Sequence, residues 1–331
     1  MTSFPQVRLR RLRQSMNMRA LLTETRLSVK DLVMPLFIQH GNNIRNPVSS
    51  MPGLFQISVD HLEQEIKDIV GLGIPAVMLF GLPEYKDDQG SASWQDDGVV
   101  QQAIREIKRV APELVIMADL CFCEYTSHGH CGIVENDDVH NDKTLEILVR
   151  QGVSLAKAGA AVLAPSGMMD GAVQALRRGL DEAGCGDVAI LCHSTKFASS
   201  FYGPFRSAVD CGLVGGGDGD RKRYQMNPAN PNEALRETAL DVAEGADMLM
   251  VKPALAYLDV IYRVKQAHPE LPVAAYVVSG TYAMVKAAAE KGWMNNDTVT
   301  MEILMAVKRA GADFIVTYSA KEAAKLLQQQ Q

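Results

Sequence analysis

No stretch of this chain is apolar for long enough to cross a bilayer, and its start, MTSFPQVRLR, lacks the apolar core of a secretory signal. Excess positive charge is missing too: 33 Lys and Arg face 39 Asp and Glu, for a net charge of -6. A nucleic-acid binder carries a basic footprint, so overall electrostatics point away from that class. No G-x-G-x-x-G follows the first apolar run, which removes the usual mark of a dinucleotide-binding sheet. There is no Walker pattern, and low complexity is confined to the terminal glutamines. These absences lead us to expect a cytoplasmic protein with no membrane and no nucleic-acid partner.

The 331 residues are 47% hydrophobic and 22% charged, an ordinary globular balance. That length suits one (β/α)8 barrel with additions. The start is rich in Arg and free of acid through Thr23. It could be a transit peptide, or a basic arm that packs against an acidic surface on another subunit. It has no long amphipathic pattern, which favours the arm.

After about residue 30, short apolar runs alternate with segments of helical spacing. The runs are Leu32 to Ile38, Ala76 to Phe80, Leu114 to Leu120, Ala161 to Ala164, Val188 to Cys192, Met248 to Val251, Val273 to Val278 and Phe314 to Thr317. They are mostly non-alternating, as strands buried on both faces are. The spacing predicts helices over Val59 to Leu72, Thr144 to Gly159, Gly171 to Gly184, Glu233 to Gly245, Leu258 to Ala267 and Tyr282 to Lys291. Glycine closes several of them just before the next strand, at Gly159, Gly245 and Gly311 among others. Repeated eight times, this pattern implies parallel strands with right-handed crossovers, and predicts an α/β fold of the TIM-barrel type. A doubly wound open sheet is the alternative.

In such a barrel, chemistry sits where strands end. Asp119 ends the third run, Ser166 follows the fourth, and His193, Ser194 and Lys196 follow the fifth. Lys252 ends the sixth, Ser279 follows the seventh and Tyr318 ends the eighth. A lysine at the end of a buried strand has its ammonium disfavoured, which frees the amine as a nucleophile. Lys252 fits that description, although it could instead snorkel to solvent. Lys196 is a second lysine on the neighbouring strand, and two such amines should depress each other's pKa. Activated amines attack ketones and form Schiff bases, so the pair points to carbonyl chemistry.

Six cysteines are present, three of them close together at Cys121, Cys123 and Cys131. In a cytosolic setting, a tight cluster suggests metal or redox chemistry. Three thiolates suit zinc and leave one position open. His128 or His130 could close the site into a structural one, and redox-active or inert buried cysteines are further readings. Cys185, Cys192 and Cys211 are expected to be core or surface residues without a role. Arg206 and Arg221 offer forks for a small carboxylate. The glycine-rich Gly215 to Asp220 has no helix opening cleanly behind it, so a lid is expected rather than a phosphate cradle.

Five stretches carry a resemblance to one family. They are DLCFCEYTSHGHCG at Asp119 to Gly132, STKFASSFYGPFR at Ser194 to Arg206, GDRKRYQMNP at Gly219 to Pro228, MVKPALAYLD at Met250 to Asp259 and VSGTYAM at Val278 to Met284. The chain resembles porphobilinogen synthases, also called 5-aminolevulinate dehydratases, from about residue 8 to residue 327. The resemblance implies a barrel over residues 31–331 preceded by an arm over residues 1–30. It implies condensation of two 5-aminolevulinate molecules to porphobilinogen, an early step of haem biosynthesis. Lys252 would hold the molecule that contributes the propionate side chain, and Lys196 the one that contributes the acetate. Ser279 and Tyr318 would hold the first carboxylate; Arg206, Arg221 and Gln225 the second. Asp119 and Ser166 would assist at the rim. Cys121, Cys123 and Cys131 match the catalytic Zn2+ ligands of the zinc-using branch, and Glu237 matches a carrier of allosteric Mg2+. The arm matches a segment that embraces a neighbouring barrel in homo-octamers. One departure is the glycine-rich Asp210 to Gly217. Competing readings are a class I Schiff-base aldolase, which leaves Lys196 and the cysteines unexplained, and a non-catalytic barrel with a structural zinc.

Overall fold

The computed structural model describes residues 3–212 and 221–329. Eight parallel strands follow chain order: β1 (Leu32–Gln39), β2 (Ala76–Leu82), β3 (Val115–Leu120), β4 (Val162–Pro165), β5 (Ala189–Lys196), β6 (Met248–Lys252), β7 (Val273–Val277) and β8 (Phe314–Thr317). β8 pairs back with β1, so the sheet closes and the expected (β/α)8 barrel forms. Closure leaves no barrel edge open to pairing with another chain. All seven residues of β2 are buried, because the barrel interior covers one face and the helices the other. A two-stranded addition, Arg45–Pro47 and Phe55–Ile57, pairs onto the end of β1.

The helix Val99–Val110 shows why these crossovers form. Val99, Val100, Ala103, Ile104 and Ile107 recur at helical spacing and bury one face, while Arg105, Lys108 and Arg109 occupy the other. The expected joint glycines stop their helices in the left-handed region, with φ of 114° at Gly159, 101° at Gly245 and 117° at Gly311.

Two differences from expectation concern the site and the helix layer. β5 runs to Lys196 instead of stopping at Cys192, and His193, Ser194, Thr195 and Lys196 are all buried within it. Polar residues ended the apolar run in the sequence but not the strand. Three further helices, Val99–Val110, Asn296–Arg309 and Ala320–Gln329, complete the outer layer.

Ahead of β1, a short turn at Leu9–Arg13 and a helix at Met16–Leu21 lie exposed. Phe4, Leu9, Met16 and Leu21 each keep about two thirds or more of their surface open. No helix among the described residues is long and apolar enough to cross a membrane.

Candidate active site

The C-terminal ends of the barrel strands surround a cavity. Lys196 and Lys252 line it as direct register partners across β5 and β6. A bulge makes this possible: Leu249 pairs with Cys192, but Val251 pairs with Thr195, so β5 carries one extra residue between them. Both lysines are buried, with 7% and 6% of their surface left.

The Lys252 amine lies 4.3 Å from the Tyr276 ring centre, 5.6 Å from Phe205 and 5.7 Å from Tyr202. Burial, and then the charge of Lys196, bring its pKa down to about 8. Lys196 behaves differently from expectation. Burial pulls its ammonium down, but the charges of Cys131, Cys121 and Asp119 outweigh that, and its pKa sits above the usual lysine value. The two amines do not depress each other symmetrically, because one stands beside the cysteines. Lys196 Nζ donates to the Ser166 carbonyl at 2.5 Å, and Ser166 Oγ donates to Asp119 at 3.1 Å. Burial, then the charge of Cys121, raise Asp119 to about 7, while both lysines pull the other way. A carboxyl poised near neutrality can give or take a proton. The other Asp119 oxygen has no partner.

Cys121, Cys123 and Cys131 are buried with their sulfurs all within 4.8 Å of one another, and the first two lie 3.4 Å apart. Zinc held tetrahedrally keeps its sulfurs about 3.8 Å apart, so three soft donors this close fit that ion. Hydrogen bonds from Cys121 and Cys123 hold the Cys131 thiol well below its usual range, which supplies a ready thiolate. The histidines do not join them. His128 engages the Asp88 carbonyl and the His130 amide, both at 3.1 Å, and His130 meets the Tyr224 hydroxyl at 3.1 Å.

Arg206, Arg221 and Gln225 line the same cavity. Nε of each arginine and Oε1 of Gln225 are buried without a partner. The two arginine nitrogens are buried orphan donors and suit an anionic ligand, whereas the Gln225 oxygen is an acceptor. Arg221 also donates through Nη2 to the carbonyls of Gly129, at 2.7 Å, and Cys211, at 2.9 Å. On the other side, Tyr318 accepts from Tyr276 at 3.0 Å, which leaves its own hydroxyl hydrogen free to donate. Ser279 Oγ accepts from the Phe205 amide at 3.0 Å.

Glu237 lies apart, on the helix Pro231–Ala243 in a crevice shared with Asp170 and Glu233. Burial, then the charges of Asp170 and Asp241, push it up to about 7. The glycine-rich segment Gly215 to Asp220, expected as a lid, falls outside the described residues.

Sequence reasoning missed several residues. Cys211, expected to have no role, lines the cavity and lies in hydrogen-bonding contact with Cys123, which draws its thiol down to about 7. Eighty residues of chain separate it from Cys131, so spacing carried no signal. His193, placed after the fifth run in the sequence but given no role there, is buried on β5 with neither ring nitrogen partnered, and burial followed by the charges of the two lysines keeps it neutral. Tyr202, Phe205 and Tyr276 form the apolar wall around Lys252.

Comparison with known proteins agrees with this geometry. The sequence profile of the family described as delta-aminolevulinic acid dehydratase matches residues 6–326. The delta-aminolevulinic acid dehydratase of Synechocystis sp. is 53% identical over 329 residues, covering 98% of this chain and 99% of its own. That of Helicobacter pylori is 53% identical over 322 residues, covering 97% and 98%. The crystal structure of the Toxoplasma gondii enzyme in complex with porphobilinogen superposes with a TM-score of 0.96 at 43% identity, covering 99% of this chain and 94% of that one. A solved aldolase reaches a TM-score of 0.50 at 11% identity and shares the fold alone. With a profile match over nearly its whole length and relatives at this identity, the chain belongs to the delta-aminolevulinic acid dehydratase (porphobilinogen synthase) family.

Proposed function

We propose that Lys252 and Lys196 are the two covalent anchors of the reaction, one for each substrate molecule. The protein is a hydro-lyase that makes porphobilinogen from 5-aminolevulinate in tetrapyrrole biosynthesis. The observation that carries the residue assignment is the register pairing of two buried lysines on one cavity.

Each lysine amine adds to a substrate ketone, the carbonyl oxygen leaves as water, and an imine forms. Lys252, with a pKa near 8 and an aromatic wall, is the readier nucleophile and takes the propionate-side molecule. Tyr318 donates its free hydroxyl hydrogen to that molecule's carboxylate, with Ser279 beside it. Lys196 takes the acetate-side molecule, whose carboxylate satisfies the orphan nitrogens of Arg206 and Arg221, with Gln225 adjoining. Asp119, near neutrality and linked through Ser166 to Lys196, moves protons as the imines form and the ring aromatises. Cys121, Cys123 and Cys131 would hold zinc, which would supply Lewis acidity to the reaction.

Glu237, Asp170 and Glu233 are hard oxygen donors that repel one another, and an allosteric Mg2+ would relieve that repulsion. The open apolar side chains between Phe4 and Leu22, on the 1–30 arm ahead of the 31–331 barrel, are suited to covering by another subunit, which supports a homo-oligomer, and the family resemblance makes it a homo-octamer. All six cysteines are free, and thiolate ligation of zinc calls for a reducing compartment, so we place the enzyme in the cytoplasm.

Borohydride added during turnover with 5-aminolevulinate tests the assignment. Mass spectrometry should find the reduced adduct on Lys252. A folded protein that makes pyrrole yet yields no adduct there would remove Lys252 from its role.

A further inference from the structure

Cys211 places a fourth sulfur beside a three-cysteine site. It is 1% exposed and lines the cavity with Cys123 and Cys131. Its side chain faces the same end of that cavity as the Cys123 and Cys131 thiols. It is not among the three sulfurs lying within 4.8 Å of one another, so it stands next to the cluster rather than inside it.

The backbone around it is clamped onto the cysteine loop. The Cys211 amide donates to the Arg206 carbonyl at 3.0 Å. The Cys211 carbonyl shares the Arg221 guanidinium with the Gly129 carbonyl of that loop. Gly129, at φ 77°, comes so close to the Gly212 carbonyl that a side-chain carbon there would collide with it. The contact therefore depends on glycine at that position, and it presents the Cys211 side chain to Cys123.

We propose that Cys211 is a fourth, exchangeable thiolate for the zinc ion of the Cys121, Cys123 and Cys131 site, bound at rest and released when substrate arrives. The inference rests on the zinc reading given above. Three thiolates leave one position of a tetrahedral ion open, and a thiolate is a good ligand for it. On ligation the Cys211 thiol gives its proton to solvent and the S–Zn bond forms; on release that bond breaks and the sulfur regains a proton. Four thiolates leave the ion with a net double negative charge, and the buried Arg221 beside them offsets part of it. Exchange follows from position. Cys211 closes the segment that carries Arg206, and one of its clamps is the Arg221 guanidinium proposed for the substrate carboxylate. A carboxylate drawing on Arg221 competes for the charge and the bond that hold Cys211 over the ion.

X-ray absorption at the zinc edge tests this without turnover, so its outcome is independent of pyrrole formation. Zinc-loaded wild-type protein should show four sulfur neighbours, falling to three plus one light atom in Cys211→Ser. Adding 5-aminolevulinate to the wild type should produce the same loss of one sulfur. Three sulfurs and a light atom in the substrate-free wild type would overturn the proposal, as would an unchanged shell in the variant. Four sulfurs that persist with substrate bound would overturn the exchange. A second measurement needs no variant: iodoacetamide labelling of the wild type, read by mass spectrometry. Zinc should slow labelling of Cys211 at least about tenfold, and substrate should reverse most of that protection. Equal labelling with and without zinc would reject the ligand role.

Discussion

Lys196 faces the same cavity as Lys252 because β5 bulges by one residue between Cys192 and Thr195. Cys192 points outward, its thiol 3.1 Å from Asp241 on the helix Pro231–Ala243. Strict alternation would send Lys196, four residues later, in the same outward direction. The bulge reverses it and aligns the two amines.

An alanine inserted between Thr195 and Lys196 should therefore act like Lys196→Ala. Both proteins should still trap substrate on Lys252 with borohydride. Both should lose the second adduct, and pyrrole formation should fall by on the order of 10³-fold or more. A second adduct persisting in the insertion protein would show that the bulge does not set the facing.

The pKa of about 8 at Lys252 predicts a pH dependence for its adduct. Only the free amine attacks, and its fraction grows as pH rises through that value. Trapping on Lys252 should increase roughly tenfold from pH 7 to pH 9. Asp119 raises the Lys252 pKa, so Asp119→Asn should move the midpoint to lower pH. Quantitative mass spectrometry across a pH series checks both directions.

Removing zinc should affect the two lysines unequally. Cys131 and Cys121 hold the Lys196 ammonium charged, and a bound dication cancels much of that influence. A chelated protein should keep its Lys252 adduct while losing the one on Lys196, and zinc should restore the second. Loss of both adducts together would contradict the charge argument.

The arginines should separate binding from stability. Arg206→Lys keeps the charge but loses the fork, so KM for 5-aminolevulinate should rise about 10- to 100-fold with a smaller effect on kcat. Arg221→Lys should do the same and also destabilise the fold by about 2 kcal/mol, because two buried carbonyls lose their donor. Steady-state kinetics with thermal unfolding of both variants separates the two effects.

The barrel was legible wherever burial and apolar sequence coincide, as in β2 and β8. β5 was read too short because His193 to Lys196 are polar residues buried for chemistry rather than packing. The helix Ala320–Gln329 buries Ala320, Ala323, Ala324 and Leu327, a face too small in side chain to stand out. Asn296–Arg309 hides its periodicity behind the buried Thr300. In the site, the lysines and the clustered cysteines could be read from their strand-end positions and close spacing. Cys211 and the reversal of Lys196 could not, since each depends on contacts between distant segments or on a local change of register.

The rings around Lys252 also govern how a finished imine decays. Tyr276 and Phe205 meet Phe37, Phe80 and Tyr318 ring against ring, with the Tyr276–Tyr318 hydroxyl pair as the polar contact among them. Hydrolysis of a Lys252 imine needs a water molecule, and this aromatic floor hinders its arrival from the barrel interior. Bulk water enters from the mouth, so an occupied Lys196 half lengthens the lifetime of the first covalent complex. A filled second half protects the first from reversal, which commits the pair to joining.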